Sequence, residues 1–153
     1  MSFIESIKTV LSKYAVFNGR ARRSEYWWYT LAVSIVSAIL YAVLVAPGYG
    51  EYMTATMEYA MAGDPAAAVP TMPGSLVTGY IIMSVVNLAL LLPGLGVAVR
   101  RLHDTGRSGF WIFLALVPIV GAIILIVWYA SNGTPGPNQF GPDPKAVAQA
   151  QPV

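Results

Sequence analysis

Apolar and charged positions fall in blocks along this chain, and three of the apolar blocks are as long as a membrane-crossing helix. Residues 26–45 (YWWYTLAVSIVSAILYAVLV), 76–99 (LVTGYIIMSVVNLALLLPGLGVAV) and 110–129 (FWIFLALVPIVGAIILIVWY) hold no charge. About 20 residues, rising about 1.5 Å each, cross a ~30 Å hydrocarbon core, so each block predicts a transmembrane helix. Ahead of them, Phe3, Ile4, Ile7, Val10, Leu11 and Tyr14 recur at helical spacing, with Glu5, Lys8 and Lys13 among the other positions. This predicts an amphipathic helix over about 3–17, lying at the membrane surface or packed on the other helices. Ser2 and Glu5 have the spacing of a capping box.

The connections read differently. In the 46–75 loop, about 51–62 can form a short helix, and Pro65, Pro70 and Pro73 then force an extended return. After the third run, the prolines and glycines of NGTPGPNQFGPDP predict a turn-rich coil. Pro118 and Gly121 interrupt the third run. They can kink a full span or turn the chain back as a re-entrant hairpin, and the kink is the commoner outcome. The expectation is an all-α integral membrane protein: an N-terminal amphipathic interfacial helix, three transmembrane helices and a turn-rich C-terminal coil. One membrane domain covers 1–135, and 136–153 is a Pro/Gly-rich tail, partly disordered.

Composition agrees with this. The chain of 153 residues is 56% hydrophobic and 10% charged, where a soluble domain carries about 25% charge. It has no cysteine, which removes disulfides and thiolate metal sites. Residues 1–17 carry charges throughout and do not read as a cleavable signal. Lysine and arginine set the orientation. Lys8, Lys13, Arg20, Arg22 and Arg23 precede the first run, and Arg100, Arg101 and Arg107 follow the second. The 46–75 loop has no basic residue and carries Glu51, Glu58 and Asp64. The N-terminus is therefore expected in the cytoplasm and, with three spans, the tail in the periplasm.

Candidate chemistry gathers at the cytoplasmic side. Arg20, Arg22, Arg23, Arg100, Arg101 and Arg107 should lie near one another, with Glu25 and Asp104 the only nearby carboxylates. The uncancelled charge suits the phosphate of an anionic phospholipid, or an acidic protein partner, and arginine suits bidentate phosphate contact. Glu25, His103 and Asp104 are expected to organise the arginines. Gly106 suits the left-handed turn that ends the second helix, and Ser108 can cap the next. Asn87, deep in the second run, needs a hydrogen-bond partner there or lines a path.

These residues carry a family resemblance. FNGRARRSEYWWY (17–29), RRLHDTGRSGFW (100–111) and the tail's GTPGPNQFGPDP, in that order and flanking the apolar runs, resemble the DUF 805 family of small bacterial inner-membrane proteins. The resemblance covers nearly the whole chain and implies a location in the bacterial inner membrane, with no biochemical activity to carry over.

Sharper chemistry finds little support in the sequence. His103 and Asp104 do not make a metal site, because His103 is the only histidine. Met53, Met57 and Met61 recur every four residues, the spacing of a Cu(I) site or, more simply, of an apolar helix face. Ser34, Ala38 and Ala42 form a small-residue stripe on the first run, suited to close helix approach within the chain or in a homo-oligomer. No phosphate loop, nucleophile elbow or catalytic carboxylate pair is present, and the basic residues lie at the bilayer rather than on a nucleic-acid surface. The expected protein is non-enzymatic and without cofactor or metal. A subunit of an oligomeric transporter or channel and a lipid-headgroup enzyme using His103 and Asp104 are the alternatives.

Overall fold

Helix α1, Phe3–Ser12, begins where the sequence places a cap: the Ser2 hydroxyl accepts from Glu5 N–H, and the Glu5 carboxylate accepts from Ser2 N–H at 2.7 Å. The computed structural model describes residues 1–64 and 66–149, so Pro65 and residues 150–153 of the expected tail lie outside the described residues. Helix α1 ends five residues before the expected limit. Lys13 leaves helical geometry, and the carbonyl of Val16 lies over Gly96 instead.

Helix α2, Arg23–Leu40, passes through a π-helical turn, Tyr41–Val45, into α3, Ala46–Ala62, as 40 continuous helical residues. Alanine 46 donates its N–H five residues back to Tyr41, the mark of the π turn. That turn resets the ladder, so Pro47 falls in a first helical turn, where its missing N–H costs least. The helix therefore runs through residues 46–50, where a loop is expected. Gly63, left-handed at φ 63°, ends it.

Helix α4, Gly74–Asp104, is continuous through Pro93. Beyond it come a 3₁₀ helix, Gly109–Leu116, helix α5, Val120–Ala130, and the short α6, Pro144–Gln149. The described residues contain no strand, only an isolated bridge between Asn138 and Gly141.

The chain divides into two compact units, residues 1–32 with 90–153 and residues 33–89. In the second, two helices meet through glycine. A Cβ on Gly48 would come within 3.1 Å of Leu76 Cβ, and one on Gly79 would strike the Leu44 carbonyl. Small residues allow this close backbone approach in a bilayer. The Ser37 hydroxyl donates to Asn87 Oδ1 at 2.8 Å, and Asn87 Nδ2 donates to the Met83 carbonyl. Ser34, Ala38 and Ala42 face outward, as do Met57 and Met61. In the first unit, Ala98, Leu102, Leu125 and Tyr129 form the core, with Tyr26, Ile112, Leu114 and Trp128 packed on it. The Tyr29 hydroxyl donates to the Leu90 carbonyl at 2.8 Å, three residues before Pro93.

Two helical stretches, Arg23–Ala62 and Gly74–Asp104, are long and apolar enough to cross a membrane. Only 11% and 22% of their most apolar windows are buried by protein, which leaves these faces for lipid rather than for a soluble core.

The third run corrects the expectation of a single helix over 110–129. Ile119 adopts φ 63°, and the chain reverses there. Gly121 lies so close to the Leu114 carbonyl that no Cβ fits between them, and the Trp111 ring meets Trp128 edge-on at 5.6 Å. Gly109–Leu116 and α5 are thus the two arms of a hairpin. The tail follows from this. Residues 131–145 return to the end of the unit that holds Arg20 and Arg22, whose guanidiniums bond their carbonyls. The reversal at 117–119 is the physical reason.

Candidate functional site

The end of α4 is built to stop. Gly106, at φ 77°, lets its own N–H bond the His103 carbonyl and the Arg107 N–H bond the Leu102 carbonyl, a Schellman closure. The Ser108 hydroxyl caps the 3₁₀ helix through Phe110 N–H. This turn brings both arginine segments together: Ala21 N–H donates to the Arg100 carbonyl at 3.0 Å, and a ring nitrogen of His103 lies 3.1 Å from the Gly19 carbonyl.

Asp104 is the hub. One carboxylate oxygen accepts from Arg20 Nε at 2.9 Å, with Arg20 Nη2 in ion-pair contact at the same distance, and the other takes Arg101 Nη1. Arg101 and Arg100 are each 1% exposed, and Arg20 and Asp104 are also buried. Charges this deeply placed require pairing and full hydrogen bonding. Arg100 donates to Glu25 at 2.7 Å and to the Gly96 carbonyl, while its Nη2 finds no partner among the described residues. Gly133 completes the packing, since a Cβ there would strike the Asp104 carboxylate.

Six arginines exceed the two carboxylates foreseen, and backbone carbonyls take up many of the remaining donors. The last carbonyls of α5 have no partner within their helix and lie at the negative end of its dipole. Arg101 takes those of Tyr129 and Ser131, and Arg23 takes that of Ala130 at 3.1 Å. Arg20 reaches the carbonyls of Thr134 and Gly136, both at 2.6 Å, and Arg22 grips that of Pro144 at 2.9 Å through Nε. Arg107 lies 4.5 Å over the Trp128 ring, a cation–π contact.

All six predicted arginines, with Glu25, His103 and Asp104, therefore gather in one unit. They differ in reach. Arg20, Arg100 and Arg101 are buried, Arg22 and Arg107 half-buried, and Arg23 exposed. His103 lies flat against Phe140, ring centres 4.0 Å apart, and its carbonyl accepts from Asn138 Nδ2. Asn87 belongs to the other unit.

The tail residues Thr134, Gly136, Asn138, Phe140, Asp143 and Pro144 were missed as members of the site. The arginine surplus was the one available signal. Asp143 accepts from the N–H groups of Lys145 and Gly136. The Lys145 N–H holds its carboxyl below the usual carboxylate range, with help from Gly136 and the nearby Arg20.

The family described as "Protein of unknown function (DUF805)" matches residues 14–142, which contain the arginine segments, the hub and the tail's contacts up to Gly141. The chain belongs to the DUF805 family. This DUF805 chain is 38% identical over 137 residues to the inner membrane protein YhaI of Escherichia coli (strain K12), covering 90% of the chain and 92% of that protein. It is 39% identical over 136 residues to the inner membrane protein YhaH of the same strain, covering 89% and 93%. No solved structure matches it. With two spans' worth of lipid-facing helix and inner-membrane relatives, the DUF805 chain is a membrane protein.

Proposed function

We propose that this is a non-enzymatic inner-membrane protein with two full spans, whose arginine cap lies at the cytoplasmic face and holds anionic phospholipid. Arg22, Arg23 and Arg107 contact the phosphate, because they are the members that are not buried. Arg20, Arg100 and Arg101, with Glu25 and Asp104, form the buried frame beneath them. An acidic segment of a partner protein offers the same chemistry and is the second ligand class this cap accepts.

One observation carries the reading: six arginines face three carboxylates, Glu25, Asp104 and Asp143, so the cap keeps a positive surplus after every internal bond is made. Carbonyl dipoles satisfy donors but cancel no charge. The orientation rests on the same residues, since the 46–75 loop has no lysine or arginine. Residues 131–145 then share the cytoplasmic side with the N-terminal segment.

Native mass spectrometry of the protein extracted with phosphatidylglycerol and cardiolipin tests this. Each basic residue near an anionic surface contributes about 1 kcal/mol, so Arg23→Gln with Arg107→Gln should weaken retention about thirtyfold. A thermal scan of the same variant shows that the fold is kept. Unchanged retention in a folded variant removes the lipid reading. Retention lost for an acidic peptide but not for lipid assigns the cap to a protein partner.

A further inference from the structure

Hairpin 109–130 lacks any charged side chain and is apolar at its tip. Leu116 and Ile119 are 78% and 75% exposed, and Val117 and Val120 beside them are also uncovered. A turn in water draws on Gly, Pro, Asn, Asp and Ser, and of these only Pro118 is present here. This turn is Val117-Pro118-Ile119. It places a β-branched residue at positive φ, a conformation costing about 1–3 kcal/mol, where glycine or asparagine would sit easily. The choice makes sense in oil, where a bare backbone is worse than a strained one.

Most backbone N–H groups at the tip are paired within the hairpin, that of Ile119 excepted. Val117 N–H bonds the Leu114 carbonyl at 2.9 Å, Val120 N–H that of Pro118 at 2.7 Å, and Gly121 N–H that of Val117 at 3.2 Å. Ile123 N–H bonds the Ile119 carbonyl, and Pro118 has no N–H to satisfy. Hydrocarbon favours such pairing, because each unpaired polar group there costs several kcal/mol.

Length fixes the depth. The 3₁₀ arm has 8 residues and rises about 16 Å at about 2.0 Å each, and α5 has 11 and rises about the same at about 1.5 Å each. Both are about half of a ~30 Å core. Both bases are anchored in polar groups: Ser108 and Arg107 at one, Arg23 and Arg101 on the last carbonyls of α5 at the other, with Trp111 and Trp128 between. Tryptophan and arginine at such a level mark the membrane interface.

We infer that hairpin 109–130 is a re-entrant loop seated among the acyl chains of one leaflet, its tip stopping near the bilayer midplane. Its partner is lipid hydrocarbon. The inference rests on the orientation proposed above only for which leaflet this is.

The chain has no cysteine, so single cysteines at Lys13, Glu51, Leu116, Ile119 and Asn132 in the full protein report without background. The probes are a membrane-impermeant maleimide on intact cells and inverted vesicles, and oxygen against nickel-chelate relaxation of a nitroxide. The expected result is Lys13→Cys and Asn132→Cys labelled from one side and Glu51→Cys from the other. Leu116→Cys and Ile119→Cys stay unlabelled from both, with oxygen-rich nitroxide spectra. Asn132→Cys labelled from the side opposite Lys13→Cys overturns the loop in favour of a full span. Labelling of both tip positions from water overturns it in favour of a solvated hairpin. Tip positions shielded from maleimide and oxygen alike, and disulfide-linked between copies, overturn lipid as the partner in favour of a second chain. Lys13→Cys and Asn132→Cys both labelled from the periplasm leave the loop standing and remove the cytoplasmic orientation instead.

Discussion

The two units handle polar groups in opposite ways. Residues 1–32 with 90–153 bury Arg20, Glu25, Arg100, Arg101 and Asp104 and match them with ion pairs and carbonyls. Residues 33–89 contain no ion pair among the described residues, and the Ser37–Asn87 hydrogen bond joins two of their helices. One unit is held by charge inside and the other by close glycine packing, with apolar side chains turned outward. The contrast teaches where stability resides. A buried charge left alone costs far more than a hydrogen bond lost in oil, so matched substitutions in the two units should separate widely.

The largest effect is expected at the hub. Asp104→Ala strands both Arg20 and Arg101, and removing one partner of a buried pair costs about 3–5 kcal/mol. Unfolding in detergent, followed by tryptophan fluorescence, should show that loss, and an effect below 1 kcal/mol would break the contrast. Asn87→Leu in the other unit should cost only about 0.6 kcal/mol, the average for inter-helix hydrogen bonds in membranes. The smallest effect belongs to α1. The Ser2 backbone N–H holds the Glu5 carboxyl below the usual carboxylate range. Because it titrates lower folded than unfolded, its contribution is complete above the unfolded value and vanishes as pH falls through the folded one. Amide exchange in the first turn of α1 should quicken over that acidic window in the wild type but not in Glu5→Gln.

Much of this was readable in the sequence, for reasons that differ by region. The runs at 26–45 and 76–99 announce themselves by length, and the capping box and the Gly106 stop by chemistry that acts within a few residues. Where the first helix ends was not readable, because a π turn absorbs Pro47 and leaves no compositional mark. The third run was apolar enough to mislead. Whether a proline kinks a helix or lets it reverse depends on the next residue's φ, and nothing about an isoleucine advertises a positive one. The meeting of the two arginine segments followed from counting charges between runs. Their grip on residues 129–144 did not, since a backbone carbonyl looks the same at every position.

That grip has a bearing on biosynthesis. Arg20 and Arg22 emerge from the ribosome 114 to 122 residues ahead of the carbonyls they hold, Thr134, Gly136 and Pro144. While translation continues, their guanidiniums must wait in water or on headgroups, and the helices enter the bilayer before the clasp can close. Maturation therefore finishes with the last segment made, and a chain stopped short of it would keep Arg20 on Asp104 while leaving Arg22 without its carbonyl.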